Sequence, residues 1–202
     1  MHRGIIADAN IPLVTFSDIL TKSYNILHYY RRGYSKSFNK KNDHKGILQH
    51  VEDCIRIMDY LNINRAHIVG HSIGGTIALQ LASSYPDYIK SLILLEPAIT
   101  GYNEFTNEQV IHEFQPLIQM YDKGQKNEAI DVFMKIAIGT NYKDIIKNVL
   151  PSNSFELVVV YAQTFFHEEI PSMKSWTFTK TQTKDLVHIP VLHIRGIQKT
   201  EK

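Results

Sequence analysis

One serine stands among glycines in the run Gly70-His71-Ser72-Ile73-Gly74-Gly75. The apolar stretch AHIV (66–69) leads into it, and TIALQLA (76–82) leads out. A serine hydroxyl works as a nucleophile when a sharp strand-to-helix turn projects it out of a sheet. Such a turn strains the serine backbone and requires neighbours without Cβ atoms. It also places the N-terminus of the next helix, with its unpaired N–H groups, beside any oxyanion that forms on the attacked carbon. The spacing marks Ser72 as a candidate nucleophile and the Ile73 N–H as a candidate oxyanion donor. The alternative is a tight strand-to-helix loop in some other α/β protein. Neither G-x-G-x-x-G nor Gly-Lys-Ser/Thr occurs, so the dinucleotide and phosphate-cradling loops do not apply.

The histidines offer no clear base. His71 adjoins Ser72, and adjacent side chains on such a turn diverge. His67 and His193 fall within strand-like runs, and His112 and His167 within helical ones. His67 with His71, and His188 with His193, straddle strand ends or Pro190, so neither makes a metal-ligand pair. No cofactor or metal is implied.

The elements that must position Ser72 alternate along the chain. Residues 11–20 read as a short amphipathic helix, and YNILHYY (24–30) as a strand that ends at the loop RRGYSKS. Ile47, Leu48, Val51, Ile55, Met58 and Leu61 form one apolar stripe of a helix over about 45–61, with Cys54 beside it. AHIVG (66–70) is a short buried strand, a helix runs from Gly74 to before Pro86, and 89–98 holds a strand buried on both faces. Residues 101 to about 180 then carry only helical patterns, at 106–122, 125–138, 142–150 and 153–167. IPVLHIRG (189–196) returns to strand. The expected architecture is a parallel α/β sheet, residues 1–100 and 185–202, with helices on both faces and a helical insertion at 101–184.

Composition limits the function classes. The 202 residues are 44% hydrophobic and 21% charged, enough for a core without staples. A net charge of +2 gives little field for nucleic acid, and Arg31-Arg32 and Lys40-Lys41 read as solvated loop charge. No apolar run reaches the roughly 20 residues that span a bilayer, so no membrane partner is expected. The single cysteine, Cys54, excludes an internal disulfide and points to a reducing, cytoplasmic compartment. Oligomeric state is not legible.

On these motifs the chain resembles the α/β-hydrolase superfamily. YNILHYYRRGYSKS is similar to that family's fourth strand and the loop after it, with Ser35 in place of the second glycine. AHIVGHSIGG resembles the nucleophile elbow, SLILLEPA the sixth strand, the helical block an inserted cap, and IPVLHIRG the seventh strand. HRGIIADAN is similar to the oxyanion loop after the third strand, which implies Gly4 as the second oxyanion N–H. The family's first three strands would precede His2, and its last strand and catalytic histidine would follow Lys202. The expectation is therefore a hydrolase lacking both flanks, with the 24–29 strand short of a neighbour. The acid would be Glu96, which ends the sixth strand before Pro97, or a residue beyond Lys202; Glu96 reads equally as an edge carboxylate. The resemblance implies a serine hydrolase acting on a small ester, amide or related acyl substrate, with cap aromatics around an apolar pocket. The alternatives are a non-catalytic or truncated member that binds a ligand, and carbon–carbon hydrolysis or peroxidase-like chemistry on the same fold.

Overall fold

The computed structural model describes residues 18–37, 46–99, 104–149 and 154–196. Helix α1 is Asp18–Ser23; most of the helix expected at 11–20 lies outside the described residues. Residues 24–30 follow as irregular chain, which corrects the expected strand. A strand exists only where a neighbour accepts its N–H groups, and no described strand lies beside this segment. Helix α2 is Ile47–Tyr60 and buries Ile47, Val51, Cys54, Ile55 and Met58. Leu48 and Leu61 leave the expected stripe: both are exposed, and Leu61 lies past the last helical residue.

Strand β1 is Ala66–His71, helix α3 Ile73–Ser84, and strand β2 Ile89–Leu95. The helical block comprises α4 Glu104–Asp122, α5 Lys126–Ala137, α6 Tyr142–Val149, α7 Ser154–Thr164, a π turn Phe165–Glu169 and α8 Ile170–Ser175. Helix α9, Lys180–Asp185, opens on a capping box at Thr179 and leads to strand β3, Val191–Ile194. The three described strands are parallel in the order β1-β2-β3, so β2 is central. This is the order that the resemblance implies for the fifth, sixth and seventh strands.

Helix α3 is largely apolar and is buried from Ile73 through Ala82. It packs on Ile68, Leu92 and Leu94, the buried face of β1 and β2. The opposite face is more open: Val69 is 42% and Leu192 55% exposed, and Ile93 and Leu95 are half-buried. Among the described residues β2 is thus not buried on both faces, as its sequence had implied.

The block has its own apolar cluster, built from Leu117, Tyr121, Ile130, Met134, Tyr142, Ile146, Phe165, Phe166 and Ile170. The π turn has a local cause. Pro171 lacks an N–H and crowds the carbonyl one turn back, and the Ile170 N–H bonds Phe165 O instead of the usual acceptor.

Candidate active site

Ser72 has φ 53° and ψ −125°, a conformation that costs a residue with a Cβ about 1–3 kcal/mol. Its surroundings over-determine it. The Ser72 N–H donates to Leu95 O at 3.1 Å, and the Ser72 carbonyl accepts from Gly75 N at 2.8 Å and Ala98 N at 3.0 Å. The Thr76 hydroxyl donates to Ala98 O, tying α3 to the chain leaving β2. The glycines are there for space. A Cβ on Gly70 would strike Gly74 O and lie 2.8 Å from Gly75 Cα, and one on Gly75 would lie 2.6 Å from Pro97 Cβ. The Ile73 N–H, first in its helix, has no intrahelical acceptor and is available to an oxyanion.

Glu96 lies at the neighbouring strand end, also in a left-handed conformation, φ 43°. Its N–H donates to Ile194 O at 2.8 Å, and its Oε1 accepts from Gly196 N at 3.1 Å. Its Oε2 is 3.8 Å from His71 Nε2, and the carboxylate is half exposed. Glu96 therefore ties together the C-terminal ends of β1, β2 and β3. His71 faces Glu96, in keeping with the divergence expected on a sharp turn. Among the described residues no side chain hydrogen-bonds the Ser72 hydroxyl. Gly4 lies outside the described residues, as do His2, Lys40, Lys41 and Glu201.

The other expected residues scatter. His67 sits on the open sheet face, where its Nδ1 is 2.7 Å from Ser91 Oγ and its ring meets Tyr24 edge-on. His167 pairs with Asp122 at 3.0 Å. Tyr121, Phe165 and Phe166 are buried and serve as core, whereas Trp176, also buried, lines one of the grooves described below. Cys54 is buried, and burial pushes its thiol pKa up, which makes it inert packing.

Sequence reasoning missed one cluster and misread its signal. Arg31 is not solvated loop charge. It is 2% exposed and pairs with Glu169 of the π turn at 2.6 Å. Arg32 is half solvated and grips Asp53 through two bonds, Nε to Oδ2 at 3.0 Å and a terminal nitrogen to Oδ1 at 2.7 Å. Burial first, then the neighbouring Glu169 charge, pushes Glu168 up to about 7. The signal available was two adjacent acids, Glu168 and Glu169, closing a largely apolar helical stretch.

Two open grooves flank these features. One of about 710 Å³ is lined by Leu79, Ile99, Phe178, Leu186, Val187 and Val191, among others. The other, of about 600 Å³, runs past Gly46, Gln80, His167, Glu168, Ser172 and Trp176. Neither is lined by Ser72.

Comparison with known proteins converges on one family. The family model described as the alpha/beta hydrolase fold matches residues 1–131. A putative carbamate hydrolase RutD of Caulobacter vibrioides is 32% identical over 107 residues, 47% of this chain and 40% of that protein. A 2-hydroxy-6-oxononadienedioate/2-hydroxy-6-oxononatrienedioate hydrolase of Comamonas testosteroni is 35% identical over 83 residues, 41% of this chain and 29% of that protein. The chain thus spans less than half the length of these relatives. Among solved structures, the alpha/beta hydrolase MGS-M2 from a Medee basin deep-sea metagenome library superposes with a TM-score of 0.64 at 16% identity, covering 95% of this chain and 78% of that one.

Proposed function

Since the chain belongs to the α/β-hydrolase fold family, we propose that it supplies the nucleophile of a serine hydrolase acting on a small ester, carbamate or amide. The observation that carries this reading is the strained, over-determined Ser72 at the N-terminus of α3. Its pairing of φ 53° with ψ −125° lies outside the regions that a serine ordinarily adopts, and such outliers cluster at functional sites. The relatives' names, a putative carbamate hydrolase and a putative esterase/lipase among them, agree with attack at an acyl carbon.

In this mechanism the Ser72 hydroxyl adds to the acyl carbon and passes its proton to a histidine base. The Ile73 N–H, with the Gly4 N–H as the second donor, holds the oxyanion. The tetrahedral species collapses and expels the alcohol or amine, which takes the proton back from the imidazolium. Water, deprotonated by the same base, then releases the acid and restores Ser72. The base and, unless Glu96 serves, its acid come from outside the described residues. Helices 101–184 act as a cap that shapes the substrate site on the core of 1–100 and 185–202. The protein works without a cofactor, and its single cysteine, Cys54, suits a reducing, cytoplasmic compartment. Among the described residues no helix is long and apolar enough to cross a membrane.

A second reading, carbon–carbon hydrolysis next to a carbonyl, is favoured by the Comamonas testosteroni relatives. A substrate panel on the protein expressed from its gene separates the two: an aryl acetate, an aryl carbamate and a 2-hydroxy-6-oxo-dienoate. Turnover of the first two that is lost in Ser72→Ala supports the acyl reading, and turnover of the third alone supports the carbon–carbon one. Activity that survives Ser72→Ala contradicts both.

A further inference from the structure

Most of the helical block packs in its own apolar cluster, so contacts across the seam are needed to fix how it sits on the sheet core. The Arg31 guanidinium lies at the seam. It pairs with Glu169 at 2.6 Å, lies 5.0 Å over the Tyr34 ring, and reaches to 3.4 Å from His50 Nε2 on α2. Around it the Thr164 hydroxyl donates to Gly33 O at 3.0 Å, and Tyr34 packs against Tyr161 at 5.6 Å. Further along the same stretch, Trp176 Nε1–H donates to Gln80 Oε1 at 2.9 Å, on the helix that begins at Ser72. Met173 and Trp176 belong to the sheet-core cluster.

We propose that Arg31 is the clasp that docks the helical block on the sheet core, acting through Glu169 to seat the π turn and, beyond it, the Trp176–Gln80 contact. A buried carboxylate without a partner is costly, so Glu169 has one low-energy position, against Arg31. Arginine suits the task because its planar fork can stack on Tyr34 while it pairs with Glu169. The π turn then carries the constraint into α8, whose far end meets Gln80. Arg31 lies outside the block in sequence, so the docking does not depend on the two chain crossings alone. It holds whether or not Ser72 reacts.

The test uses the 202-residue chain and two readouts: amide exchange, and the emission of Trp176, the only tryptophan. Arg31→Met is expected to shift Trp176 emission to the red and to speed exchange over Phe165–Ser175 about a hundredfold, with Ile68, Leu92 and Leu94 unchanged. Arg31→Lys keeps the charge but loses the fork and the stacking. It is expected to speed exchange in the block alone, about tenfold. Unchanged block exchange in Arg31→Met overturns the proposal. If Arg31→Met unfolds the whole chain, Arg31→Lys decides: acceleration confined to the block supports the clasp, and parallel acceleration in the core or no change overturns it.

Discussion

Around Ser72 the chain is held by backbone. Its own N–H and carbonyl bond to the residues that end β2 and open α3, and two glycines let main chains approach where any Cβ would collide. The helical block is held by side chains instead. Phe133, Phe165 and Phe166 pack ring against ring, with centroids 4.6 and 5.3 Å apart, and Asp131 gathers Lys135, Lys143 and Tyr142. Backbone geometry fixes one atom to a fraction of an ångström, which a nucleophile needs. Side-chain packing fills volume and tolerates exchange of one apolar residue for another. The difference suits the proposed roles, a precise nucleophile and a cap whose lining can change with the substrate.

This contrast makes the two regions fail in opposite ways. The largest expected effect is in the block, where removing atoms should hurt most. Phe166 is fully buried, and Phe166→Ala should lose about 4 kcal/mol in chemical denaturation. In the elbow, adding one carbon should suffice. Gly70→Ala drives a methyl into Gly74 and Gly75 backbone, which has no rotamer to yield, and should lose about 3 kcal/mol. A Gly70→Ala variant as stable as the parent would mean that the elbow is not backbone-locked. On the exposed surface of the block, by contrast, a substitution such as Ile136→Leu should be nearly neutral.

Strain at Ser72 gives a smaller effect of opposite sign. Ser72→Gly releases the left-handed conformation and should stabilise the fold by about 1 kcal/mol, net of glycine's extra entropy in the unfolded chain. No gain in thermal stability would mean that the turn is relaxed.

The last expected difference is in pH dependence. Glu168 is raised from 4.5 to about 7 in the folded state. Between these values the folded chain holds a proton that the unfolded chain has released, so stability falls as pH rises through this window. Glu168→Gln should abolish that fall, and its thermal stability relative to the parent should climb from pH 4.5 to 7 and then level off. His28, held down at about 4 by burial, acts with the opposite sign, weakening the fold as pH falls from 6.5 toward 4. Comparing the parent and Glu168→Gln at each pH removes the His28 contribution. A constant difference across the range would mean that Glu168 titrates normally.

The same contrast explains what could be read from the sequence. The elbow was legible because its requirements are local: glycines flanking a serine, an apolar strand before it and a helix after. The order β1-β2-β3 followed from the family resemblance, and the helices of the block appeared at the expected places because their apolar periodicity is local too. The strand expected at 24–30 was not, since strandedness depends on a neighbour that the segment's own residues do not encode. Arg31 was misread for a related reason. A charge is solvated by default, and only its distant partner Glu169 makes burial tolerable. Glu96 was correctly placed at a strand end, but its ties to His71 and Gly196 depend on residues far apart in the chain.

The most direct test of the account is to treat the protein expressed from its gene with a fluorophosphonate probe and map the adduct by mass spectrometry. A single phosphonylated residue, Ser72, is expected, with labelling abolished in Ser72→Ala while the fold is kept. Labelling that persists in Ser72→Ala, or an adduct on another serine, would contradict the assignment of Ser72 as the nucleophile.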